Sequence, residues 1–158
     1  MIPKIGITED QLQKSNNLLS IVLSDEMALY VKTRKFHWNV TGESFMELHK
    51  LFEEQYSELE LVIDEVAERI GKLGGKAIGT MAEFSKLSRI KENPNKYPDQ
   101  KAMIKELVGD HEILTTELRK DIDQAADENN DAGTADLLTK ILQQHETFAW
   151  ILRRYLNQ

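Results

Sequence analysis

Four histidines, His37, His49, His111 and His145, are the most versatile metal ligands and proton carriers in this chain. The first two flank a turn signal running from Asn39 to Gly42. A short connection between two helices there would bring both imidazoles into one neighbourhood. Further along come Glu53, then Asp64 and Glu68, four residues apart and therefore on one face of a helix. Imidazole with carboxylate and no sulfur suits Fe(II), Mn(II) or Zn(II), and ligand type alone does not choose among them. The absence of Cys excludes disulfides, thiolate-bound zinc, iron–sulfur clusters and any thiol nucleophile.

The elements that must position these groups read as helices. Prolines occur only at 3, 94 and 98, which leaves two long stretches free to run uninterrupted. Thr8-Glu9-Asp10-Gln11 reads as a capping box opening a first helix that ends near His37–Val40. Ser44-Phe45-Met46-Glu47 reads as a second, opening a helix to Leu73 that Gly74-Gly75 stops. Thr80-Met81-Ala82-Glu83 would cap a short helix reaching about Ser88. Pro98 suits the first turn of a third long helix, which fades in Asp127–Gly133. Thr134 is the expected cap of a fourth, with Leu138, Ile141, Phe148 and Leu152 on its apolar side. No strand alternation, linker or internal repeat interrupts this pattern. The expectation is one all-α domain over 1–158, a ferritin-like four-helix bundle with a short extra helix in the long crossover between helices two and three.

Distance then decides how a metal site could be made. A di-iron centre inside such a bundle uses Glu-x-x-His motifs. None exists here: the residues three before the histidines are Arg34, Met46, Val108 and Leu142. His49 lies about 22 Å from Asp64 and about 28 Å from Glu68 along a straight helix. Metal–ligand bonds near 2 Å cannot bridge that gap. Positions 49, 53, 64 and 68 nevertheless fall on one side of the helix. Two copies packed antiparallel about a two-fold axis would set His49 of one beside Asp64 and Glu68 of the other, making the site twice at an isologous interface.

These residues carry a resemblance. His37-Trp38-Asn39-Val40, Gly42, Phe45, Leu48-His49 and Phe52 resemble the Dps family, the DNA-binding proteins from starved cells or mini-ferritins. Asp64, Ala67-Glu68-Arg69-Ile70, Leu73-Gly74-Gly75, Thr134-Ala135-Asp136-Leu137-Leu138 and Phe148-Ala149-Trp150 continue the likeness across nearly the whole chain. Composition and the lack of a membrane span lead to the expectation of a cytoplasmic domain, and the resemblance implies a homododecamer that oxidises Fe(II), with hydrogen peroxide preferred over oxygen, and stores ferric mineral in its hollow. It implies a ferroxidase centre with His37 and His49 as ligands from one subunit and Asp64 and Glu68 from its two-fold partner. Glu53 stands where well-known members have Asp, and its longer arm can reach metal directly or through water. Trp38 resembles the tryptophan beside the centre, able to intercept stray oxidising equivalents or simply to anchor the interface.

Other readings stand beside these. His111 and His145 read as satisfied polar groups, Trp150 as packing, and Phe52 and Tyr56 as core or dimer contacts. Without the histidines, Asp64 and Glu68 would be a solvated face pairing with Lys72. Asp131 and Asp136, gathered by three-fold symmetry, would make a negative funnel for Fe(II), or else serve only as loop and helix-terminus charge. The family name suggests DNA compaction, but 20 Lys+Arg against 27 Asp+Glu give a net charge of −7. Met1–Ile7 carries only Lys4, and the other end offers Arg153 and Arg154, little for neutralising phosphates. A bundle binding Zn(II) without redox chemistry is a third reading. No apolar run reaches the roughly 20 residues of a membrane span.

Overall fold

The computed structural model describes residues 2–156, and the described residues hold helices and no strands. Helix α1 spans Glu9–Asn39, α2 Phe45–Lys72, α3 Met81–Leu87, α4 Gln100–Asp123 and α5 Ala132–Leu156. A π-helical turn, Gln124–Glu128, extends the end of α4. The expected all-α bundle with one short helix in the crossover is the architecture found.

Local chemistry sets most of the boundaries. The Thr8 hydroxyl accepts from the Gln11 amide while the Gln11 side chain accepts from the Thr8 amide, closing a capping box on α1. Thr80 and Glu83 do the same for α3. At the end of α2 the Gly75 amide reaches the Ile70 carbonyl and the Gly74 amide that of Gly71, with Gly74 at φ 79°. This is a Schellman turn, and the left-handed residue in it is a glycine because a side chain would be strained there.

Three expected boundaries differ. Ser44 makes no side-chain cap to α2; the turn instead closes through the Phe45 amide on the Gly42 carbonyl, with Gly42 at φ 114°. Pro98 lies just before α4 rather than in its first turn, and Asp99 caps the helix, its carboxylate accepting from the Ala102 amide. The cap of α5 is Asp131 rather than Thr134. Its carboxylate takes the Thr134 amide at 3.0 Å and the Thr134 hydroxyl at 2.6 Å.

The core is one cluster drawn from every helix, with Leu19, Leu29, Phe36, Phe52, Leu59, Ile70, Leu107, Leu114, Leu138 and Leu152 all but inaccessible. Each fully buried side chain of this size contributes about 1.5–3 kcal/mol. Polar ties fix the directions. Lys32 of α1 meets Asp110 of α4, whereas Asp25, two turns earlier, lies level with Asp121, so α1 and α4 are antiparallel. Glu65 pairs with Lys140 and Glu58 with Gln144, so α2 and α5 are antiparallel as well. The long crossover therefore returns the chain so that α2 and α4 run parallel.

Candidate metal centre

His37 is the third-last residue of α1 and His49 the fifth of α2, and the tight Val40–Ser44 turn folds one onto the other. Their rings stack with centroids 3.8 Å apart and planes 20° from parallel. The His37 Nδ1 lies 2.7 Å from the His49 carbonyl, and the His49 Nδ1 lies 2.9 Å from the His37 carbonyl. A carbonyl oxygen only accepts, so each Nδ1 carries the proton and each Nε2 keeps a bare lone pair. This is the arrangement by which proteins fix the tautomer of a metal-binding imidazole. His37 is buried and His49 half-buried, so the free nitrogens sit at the rim of the core.

The surroundings add what the sequence did not announce. The Tyr56 ring stands edge-on to His37 at 5.3 Å, and Phe45 flanks His49 at 5.1 Å. Arg34 lies over the rings of Tyr56, Trp38 and Tyr30, at 4.8, 5.2 and 5.4 Å, and donates to the Tyr30 hydroxyl at 2.6 Å. Arg34, His37 and Trp38 are three and four residues apart on one helix, a spacing that could have suggested the cluster. Trp38 itself is 64% exposed in a single chain.

The carboxylates lie elsewhere. Glu53, Asp64 and Glu68 are all exposed along α2, and Glu68 pairs with Lys72 at 3.2 Å. Among the described residues, no three His, Cys, Asp or Glu side chains converge on a point that could hold a metal. One chain therefore brings His37 and His49 together and leaves Glu53, Asp64 and Glu68 facing outward. Leu61 and Met46, 68% and 57% exposed, share that helix.

Two other expectations are decided by burial. Of the two readings of Asp131 the helix-terminus one holds: it is buried and bonded to Arg69 at 2.6 Å as well as to Thr134, so its carboxylate is committed within the chain rather than to a funnel. Asp136 is exposed. Trp150, expected to pack, is 52% exposed, whereas Phe52 is in the core as expected.

No described helix is long and apolar enough to cross a membrane. The ferritin-like domain family matches residues 16–158. The low temperature-induced protein all0458 of Nostoc sp. strain PCC 7120 is 45% identical over 153 residues, 97% of this chain and 86% of that protein. DNA protection during starvation protein 2 of Bacillus anthracis is 39% identical over 142 residues, 89% of this chain and 95% of that protein. Among solved structures, the Dps protein of Vibrio cholerae O1, described as one of a superfamily of ferritin-like diiron-carboxylate proteins, superposes with a TM-score of 0.90. It is 34% identical and covers 98% of this chain and 96% of that one. The chain belongs to the Dps family of ferritin-like proteins.

Proposed function

We propose that this protein takes up Fe(II), oxidises it at a ferroxidase centre shared by two subunits, and stores the ferric product in a closed homododecamer, protecting its host during stress. The observation that carries this is the His37–His49 pair, two imidazoles locked with bare Nε2 atoms and without a third ligand among the described residues of the same chain. A two-fold partner would supply Asp64 and Glu68, with Glu53 an additional donor. Trp38, Met46 and Leu61 are large apolar side chains left exposed in the single chain, as residues that an interface covers would be.

The residues fit iron as substrate. Neutral imidazoles bind Fe(II), and carboxylates favour the more highly charged ferric product. Hydrogen peroxide is the proposed oxidant. Two Fe(II) each give one electron, the O–O bond breaks, and two protons complete two waters. Trp38, beside the ligands, is proposed to donate an electron to any one-electron oxidant that escapes. A cytoplasmic setting suits this chemistry.

A crystal soaked anaerobically with Fe(II) tests the assignment. The anomalous signal should lie between His37 and His49 of one subunit and Asp64 and Glu68 of its partner. Iron found elsewhere, or peroxide consumption that survives His37→Ala together with His49→Ala, would overturn it.

A further inference from the structure

Among the polar side chains that the four long helices bury are Glu26 of α1, Gln55 of α2, His111 of α4 and His145 of α5. None is more than 2% exposed. Three of them are joined in series. Glu26 Oε1 lies 2.8 Å from His145 Nε2, and His145 Nδ1 lies 2.9 Å from His111 Nδ1. The fourth belongs to the same layer by register. Gln144 bonds Glu58, and one turn on from each stand Phe148 and Gln55, with the Phe148 ring 5.4 Å from that of His111.

The layer is unfinished. Glu26 Oε2, His111 Nε2 and both polar atoms of Gln55 are buried without a hydrogen-bond partner. Buried polar groups are nearly always satisfied, and the orphaned Glu26 Oε2 and Gln55 carbonyl oxygen remain free to accept a ligand. The Glu26 carboxylate takes the Nε2 proton of His145 and leaves the His145 Nδ1 bare, which is how a carboxylate prepares a histidine for metal. The two facing Nδ1 atoms are spaced almost as they would be when each is about 2.0–2.1 Å from one ion.

We propose that Glu26, Gln55, His111 and His145 form a second metal site, inside the bundle of a single subunit, for one divalent transition ion. His111 and His145 are its first donors, and the His111 proton moves from Nδ1 to Nε2 as the metal enters. Glu26 through Oε2 and Gln55 through its carbonyl oxygen are the remaining donors after small side-chain rotations, since in the metal-free chain the groups are strung in series rather than gathered. This centre is separate from the shared one, because Glu26 is eleven residues, about 16 Å, from His37 along α1. Its burial makes metal entry a matter of folding or local opening, and release slow.

The full-length His37→Ala, His49→Ala variant isolates the site. Refolded with Co(II) and dialysed, it should retain about one cobalt per chain, with X-ray absorption showing imidazole nitrogen around the ion. Adding His145→Gln should weaken retention at least about tenfold while helicity by circular dichroism is unchanged. If that triple variant does not fold, the absorption spectrum of the double variant decides. No retained cobalt, cobalt bound by oxygen alone, or retention indifferent to His145→Gln would overturn the proposal. None of these readouts involves iron oxidation, so failure of the shared centre would leave this one standing.

Discussion

Arg69 of α2 reaches across the bundle to Asp131, the cap of α5, and the two meet at 2.6 Å with the carboxylate wholly buried. Burial pushes that carboxyl up, but the Thr134 hydroxyl and amide and the Arg69 guanidinium together hold it below its ordinary 3.8. The folded state therefore binds this proton less readily than the unfolded chain does. Its contribution to stability is present above about pH 4 and is lost as the pH falls through that range. Asp131→Asn keeps a good cap and removes the charge. Urea unfolding between pH 5 and pH 3 should show the wild type losing stability more steeply than the variant; parallel curves would refute the assignment.

Arg89, in the crossover just after α3, gathers Asp25 of α1 and Glu117 and Asp121 of α4. Burial of Asp25 raises its carboxyl, and the Arg89 guanidinium and backbone amide oppose that shift. Arg89→Ala strands the buried acids and should cost about 3 kcal/mol in denaturant unfolding. A loss under 1 kcal/mol would mean the cluster relaxes into water.

Complementation probes the shared centre. Subunits carrying His37→Ala and His49→Ala retain the carboxylates, and subunits carrying Asp64→Asn and Glu68→Gln retain the imidazoles. Each population alone should be inactive. Unfolded and reassembled at equal amounts, half of the two-fold pairs are mixed and each mixed pair has one intact site of two. About one quarter of wild-type iron oxidation should return. Zero recovery would exclude a site divided between chains in this way.

The histidines should also fail as a unit. His37→Ala removes a ligand and takes away the carbonyl-bound ring that stacks on His49. Either single variant should therefore weaken Fe(II) binding at least about tenfold, with the double variant much less than the product of the two. Isothermal titration with Fe(II) under argon measures this directly.

The fold was largely legible because its helix ends are written locally, in Thr8 to Gln11, Thr80 to Glu83 and Gly74-Gly75. The cap of α5 was not. Asp131 and Thr134 both suit the role, and the choice is settled by Arg69, 62 residues away. The His37–His49 pair was legible from a short turn between two helices, although its tautomer appears only with the reciprocal carbonyl bonds. The buried histidines show how far local reading reaches. Their apolar neighbours are visible in sequence, but nothing near His145 announces Glu26, 119 residues earlier.

The mutual tethering of the two rings has one more result. Because each imidazole is fastened to the other's main chain, the corner joining α1 to α2 cannot fray without discarding both nitrogens at once. Warming or mild denaturant should thus extinguish the imidazole pair in a single step while the remainder of the helices still hold.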